Sequence, residues 1–121
     1  MQNLRYVGNN LFVEKLSIKN ILKKNKTPFY IYSESQIAFN FLKFANTFKK
    51  TDPLICFAAK SNSNLNILRV LGKLGAGADV VSGGELLKAL KAGIRPNKIV
   101  FSGVGKTCLL YTSDAADEQD R

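Results

Sequence analysis

Lys60 is the residue whose position most directly suggests chemistry. It follows an unbroken apolar run over residues 54–59 (Leu-Ile-Cys-Phe-Ala-Ala) and precedes Ser61, Asn62 and Ser63. Such a run predicts a buried parallel strand, and in βα folds reactive groups sit at the carboxyl ends of strands. An ammonium placed there is expected to be partly desolvated, which favours the neutral amine and frees it for Schiff-base formation with a carbonyl. By position alone the commoner role of such a lysine is structural, with its stem snorkelling along the strand end or its head in an ion pair. Gly105-Lys106-Thr107 has the ending of a phosphate-binding loop. The first glycine of G-x-x-x-x-G-K-[ST] would have to stand at Val100, however, and no helical pattern follows, so the spacing excludes that motif. Cys56 lies inside the apolar run and is expected to be a buried, inert thiol.

Composition narrows the chemistry further. The 121 residues contain no histidine, so neither an imidazole base nor a histidine metal ligand is available in this chain, and no metal site is expected. Cys56 and Cys108 are far apart and form no C-x-x-C pair, which argues against a zinc ribbon or a disulfide scaffold and for a reduced, cytoplasmic setting. No apolar stretch approaches the roughly 20 residues that span a bilayer, and residues 1–10 have no apolar signal region, so a soluble, unexported protein with no membrane partner is expected. Lys plus Arg number 18 against 9 Asp plus Glu, for a net charge of +9, and four of the nine acids lie after Thr107. Such a balance raises the question of nucleic acid. Aromatic residues are not interleaved with the basic ones, and Lys, Asn, Ile and Phe are the products of AT-rich codons; a solvated basic surface with no nucleic-acid partner is the expectation.

The elements that must position Lys60 follow from the patterning. Residues 28–32 (Pro-Phe-Tyr-Ile-Tyr) predict a strand, and Ser33 with Gln36 predicts a capping box for a helix to about Lys50, with Ile37, Phe41, Phe44, Ala45 and Phe48 on its buried face. Residues 54–59 form the second strand. Leu65, Leu68, Leu71 and Leu74 give the next helix an apolar stripe, closed by Gly75 in a left-handed cap. Residues 78–81 predict a third strand, Ser82 with Glu85 a second capping box, residues 86–92 a helix ended by Gly93, and Ile99–Phe101 a fourth strand. Residues 4–17 are expected to be extended and to pair outside this sheet, ahead of a short helix over 18–24. The fold class is therefore α/β: three βα units plus a fourth strand, part of a (β/α)8 TIM-type barrel, since a closed one needs about 250 residues.

Residues 57–64 (Phe-Ala-Ala-Lys-Ser-Asn-Ser-Asn), with Ile67, Leu68, Leu71 and Gly75, resemble the cofactor-lysine motif of the barrel-type pyridoxal-phosphate decarboxylases, the ornithine/diaminopimelate/arginine decarboxylase family. Residues 75–86 (Gly-Ala-Gly-Ala-Asp-Val-Val-Ser-Gly-Gly-Glu-Leu), 91–94 and 98–107 (Lys-Ile-Val-Phe-Ser-Gly-Val-Gly-Lys-Thr) are similar to the diaminopimelate branch of that family. The resemblance covers residues 4–107 and includes 27–33. Lys26, Ala59 and Ser61 depart from the usual glycine, valine and alanine, and none of these changes removes a reactive group.

The resemblance implies that Lys60 is the catalytic lysine and holds pyridoxal 5'-phosphate, and that Asp79 belongs to the cofactor site, where its anion would hold Lys60 and tune its charge. A strand-end acid capping a turn is an equal alternative for Asp79. Glu85 also matches an acid of the family, but its place in a capping box favours a structural role. The implied reaction is decarboxylation of meso-diaminopimelate to L-lysine and carbon dioxide, a carboxy-lyase step of lysine biosynthesis, in a homodimeric parent. The family's phosphate-gripping glycine loop, ring-stacking histidine and pyridinium-pairing acid would lie beyond this chain, so the chain alone is expected to be inactive and prone to aggregate. A non-catalytic pyridoxal-phosphate-binding barrel and a related basic-amino-acid decarboxylase are the alternatives. On this division residues 1–26 form an N-terminal extended segment and helix, and residues 27–107 the first part of the pyridoxal-phosphate-binding barrel. Residues 108–121, which resemble a translated sequencing-library adapter, are expected to be a non-native tail, with a genuine acidic tail as the alternative.

Overall fold

Residues 4–17 fold back on themselves twice. In the computed structural model, which describes residues 3–104 and 106, β1 (Leu4–Val7), β2 (Asn10–Val13) and β3 (Leu16–Ser17) form an antiparallel sheet of their own, with Arg5 opposite Phe12 and Phe12 opposite Ser17. Gly8 and Glu14 take positive φ at the two turns, +56° and +53°. The expected pairing outside the main sheet is observed. A short helix α1 (Ile18–Leu22), capped by Ser17, follows and stops two residues before the expected end.

The turn that carries Glu14 is tied to helix α2 (Glu34–Thr47). The Glu14 carboxylate accepts from the Ser33 hydroxyl at 2.6 Å, the Ser35 hydroxyl at 2.8 Å and the Ser35 amide at 3.1 Å. The Asn3 side-chain amide donates to Ser33 Oγ and to Gln36 Oε1 at 3.1 and 3.2 Å. Ser33 caps α2 as expected, accepting from the Gln36 amide at 3.1 Å, but the return half of the capping box is replaced by these contacts from the N-terminal sheet. The Ser33 hydroxyl, followed by the two groups of Ser35, holds the Glu14 carboxyl below its ordinary value of 4.5. Because the folded value is the lower one, the contact contributes stability above 4.5 that is lost as pH falls through the folded value. Acidification from about pH 5 downward is therefore expected to lower the protection factors of the Ser35 and Gln36 amides, taken relative to the intrinsic exchange rate at each pH, and Glu14→Gln to flatten that pH dependence. Protection factors at these amides that are unchanged down to pH 3 would contradict it.

The second sheet is parallel. Strands β4 (Cys56–Ala58), β5 (Gly77–Val80) and β6 (Ile99–Phe101) lie in that order, with Ala58 beside Asp79 and Asp79 beside Val100. Helices α3 (Leu65–Lys73) and α4 (Gly83–Lys91) connect them. Gly75 and Gly93 close the two helices at φ +97° and +89°, the left-handed conformation that glycine takes without steric cost. Strand alternation sends Phe57, Ala78, Val80, Ile99 and Phe101 toward the helices, where they meet Ala59, Leu68, Leu86, Ala89, Ala92 and Ile94. Leu68 and Val80 are fully buried there, each contributing roughly 2 kcal/mol. A second cluster of Ile67, Leu71 and Ala76 receives Ile37 and Phe41 from α2.

Three expectations are corrected. Residues 28–32 join no ladder among the described residues, and Tyr30 is 90% exposed. An aromatic, β-branched run favours extended backbone, but a strand exists only where a neighbour accepts its amides, and the free edge of β4 is not paired with it. The buried face of α2 is narrower than its periodicity suggests. Ile37, Phe41 and Ala45 are half-buried, whereas Phe44 and Phe48 are 55% and 43% exposed and pack tilted on each other at 5.1 Å between ring centroids. In α3 the deepest residues are Leu68, Leu71 and Ile67, while Leu65 is only half-buried and Leu74 lies at the cap.

Candidate functional site

The carboxyl ends of β4, β5 and β6 open on one side of the parallel sheet. The face turned away from the helices carries Cys56, Ala58, Asp79 and Val100, by alternation with the helix-facing set. Among the described residues nothing seals this face, and Val100 is 47% exposed. Lys60 sits just past β4, in a single 3-10 turn over Ala59–Ser61 whose first residue is fully buried and whose last donates its hydroxyl to the Ala58 carbonyl at 2.7 Å. The turn anchors Lys60 on the buried Ala59 while leaving its side chain outside.

Lys60 is exposed among the described residues. Its amine has no hydrogen-bond or ion-pair partner among the described residues. Asp79, half-buried in the middle of β5, does not grip Lys60 in this arrangement. It accepts instead from the Ser102 hydroxyl at 2.5 Å.

The loop after Lys60 is held from both directions. Asn62 Oδ1 accepts the Asn64 amide at 3.0 Å and Asn64 Oδ1 accepts the Asn66 amide at 2.9 Å, which starts α3. Lys88 on α4 donates to Ser63 Oγ at 2.9 Å. Glu85 plays the structural part: its carboxylate accepts the Val81 amide at 2.9 Å, while Ser82 Oγ accepts the Glu85 amide at 3.3 Å. The capping box thus closes one residue earlier than expected and clamps the end of β5.

Cys56 is half-buried rather than buried, and its thiol points to the Lys98 carbonyl at 3.8 Å. Burial, and after it the negative charge of Asp79, pushes the thiol upward against the opposing influence of Lys98, which favours the protonated thiol over the reactive thiolate. No group of His, Cys, Asp and Glu that could hold a metal exists among the described residues. Gly105, Thr107 and residues 108–121, with Cys108 and the expected non-native tail, lie outside the described residues.

Sequence reasoning missed Ser102. It follows the fourth apolar run as Lys60 follows the second, and applying the strand-end rule to every strand would have found it.

Residues 34–111 match the family described as pyridoxal-dependent decarboxylase, pyridoxal binding domain. The chain belongs to the pyridoxal-dependent decarboxylases. A diaminopimelate decarboxylase from Pseudomonas fluorescens is 48% identical over 107 residues, which is 88% of this chain and 26% of that protein. One from Helicobacter pylori is 54% identical over 89 residues, 74% of this chain and 22% of the relative. The crystal structure of diaminopimelate decarboxylase from M. jannaschii in complex with L-lysine superposes with a TM-score of 0.86 at 34% identity, covering 95% of this chain and 28% of that one. The chain therefore spans about a quarter of the length of these pyridoxal-dependent decarboxylases. The likeness extends to the partial sheet: an α/β portion of the barrel domain, not a closed barrel, is what the chain forms.

The site fits the family's cofactor. A primary amine with no partner among the described residues, standing outside a strand end on a rigid turn, is the group that an aldehyde-bearing cofactor requires.

Proposed function

We propose that the protein carrying this chain decarboxylates meso-diaminopimelate to L-lysine and carbon dioxide, with Lys60 as the lysine that binds pyridoxal phosphate. The observation that carries the reading is the Lys60 amine at the carboxyl end of β4, without a partner among the described residues, in a chain about half identical to diaminopimelate decarboxylases over its length. The lysine bound in the M. jannaschii enzyme is the product this reaction would give. When bound, pyridoxal phosphate supplies an electron-poor ring that stabilises the carbanion left as carbon dioxide departs.

The residues of this chain hold and orient. Lys60 would hold the cofactor through its amine. The Asp79 carboxylate, one strand over and level with Ala58, places a negative charge on the same face of the sheet. Lys88 donates to Ser63 Oγ and so ties the loop after Lys60 to α4. In this reading residues 27–107 are the first part of the barrel, residues 1–26 lie outside it, and the tail after 107 takes no part. The parent is a cytoplasmic homodimer of lysine biosynthesis, with neither nucleic acid nor membrane as a partner. Among the described residues no helix is long and apolar enough to cross a membrane.

The test is turnover of carboxyl-labelled diaminopimelate by the full-length protein. Release of labelled carbon dioxide with formation of lysine is expected. A non-catalytic carrier would bind pyridoxal phosphate and release none, and a decarboxylase of another basic amino acid would turn over ornithine or arginine faster.

A further inference from the structure

Ser102 has a fixed backbone and a directed side chain. Its amide donates to the Val80 carbonyl at 3.0 Å, continuing the β5 to β6 ladder one residue past β6. The next residue, Gly103, lies so close to β5 that an added Cβ would meet the Val81 carbonyl oxygen at 2.5 Å, and the Val81 amide is in turn held by Glu85. The backbone on both sides of the Ser102 to Asp79 hydrogen bond is therefore clamped. The hydroxyl donates to Asp79 Oδ1 at 2.5 Å on the face of the sheet that leads to Lys60. A hydrogen bond from a neutral hydroxyl to a carboxylate is short and strong, and it selects one orientation of the carboxylate. An unrestrained aspartate on this open face of the sheet would sample several.

We propose that Ser102 is a positioning residue that fixes the Asp79 carboxylate in the orientation used at the Lys60 cofactor site. The proposal rests on the reading of Lys60 and Asp79 given above. Ser102 acts only through Asp79 and touches neither substrate nor cofactor. Two consequences follow. The role needs a hydroxyl, so threonine can fill it and alanine cannot, and threonine also suits the extended backbone of a strand end. The role also disappears when Asp79 can no longer act as an oriented anion.

The experiment uses the full-length protein, with Ser102→Ala, Ser102→Thr, Asp79→Asn and the Ser102→Ala/Asp79→Asn double variant, each measured for kcat and KM with diaminopimelate. Ser102→Ala is expected to lower kcat roughly tenfold with KM changed by less than about twofold, since the orientation matters in the transition state. Ser102→Thr is expected to return kcat to within about threefold of the parent. In the Asp79→Asn background the added Ser102→Ala change is expected to cost less than about twofold, the non-additivity that marks action through one residue. An equal loss from Ser102→Ala with and without the Asp79 substitution would overturn the proposal, as would a folded Thr variant no better than Ala. Failure of the underlying reading shows separately: borohydride reduction of the unsubstituted protein with pyridoxal phosphate would then leave Lys60 unlabelled.

Discussion

Replacing Lys60 with alanine is expected to abolish pyridoxyl labelling of residue 60 after borohydride reduction and to lower decarboxylation by the full-length protein by about a thousandfold or more, a barrier increase of roughly 4 kcal/mol. The size of the effect follows from the geometry of the other cations. Lys88 Nζ is engaged with Ser63, Lys98 Nζ donates to the Gly75 carbonyl at 2.8 Å, and Lys106 lies 5.7 Å from the Phe101 ring centroid. None of these replaces an amine carried on the β4 turn. Lys60→Arg should fail equally, because a guanidinium keeps the charge but not the nucleophilic amine. Peptide mapping of the reduced adduct and a turnover assay check this together, and a Lys60→Arg enzyme with normal turnover would remove Lys60 from the mechanism.

The largest structural effect is expected at Gly77. A Cβ there would lie 2.2 Å from the Lys98 carbonyl oxygen, 2.7 Å from Cys56 Sγ and 3.2 Å from Leu54 Cδ1. The first of these is backbone and cannot rotate away. Gly77 also pairs with Cys56 at the start of β5 and donates its amide to the Ile55 carbonyl at 2.9 Å, so relief by moving the strand would break the ladder that positions Asp79. Gly77→Ala is therefore expected to destabilise by about 3 kcal/mol or more, a large share of the roughly 5–15 kcal/mol that holds a small domain. Gly83→Ala is the control: nothing lies within 4 Å of its added Cβ, and alanine suits the first turn of α4. Urea unfolding of the two variants should show a lower midpoint for Gly77→Ala with an unchanged slope, and almost no change for Gly83→Ala. Equal midpoints would mean that β5 does not pack as described.

Much of the site's frame is local and could be inferred without coordinates. Ile99–Phe101 begins and ends where its apolar run does, and Gly75 and Gly93 stop their helices because each must take positive φ. Ser33, Ser82 and Asn64 start α2, α4 and α3 through their own side chains. The place of Lys60 at a strand end follows from the apolar run before it and the short polar stretch after it. These features depend on residues within a few positions of one another, and backbone sterics and capping act over that range.

Where local preference needed a distant partner, it was an incomplete guide. Among the described residues, residues 28–32 have strand composition without a ladder, and Phe44 and Phe48 have helical spacing without a surface to cover them. The Gln36 and Glu85 side chains satisfy other groups than the ones their capping boxes specify. The pairing of Ser102 with Asp79 joins residues 23 positions apart, and only the parallel register of β5 and β6 brings them together. Desolvation of Lys60 likewise depends on distant atoms, since no run of neighbouring residues supplies them. Spacing thus placed Lys60 at a strand end, and the resemblance of its motif to the decarboxylase family supplied the chemistry. The register of the strands and the packing of the helices behind them decided which groups meet there, because hydrogen-bond ladders and burial join residues that the chain itself keeps apart.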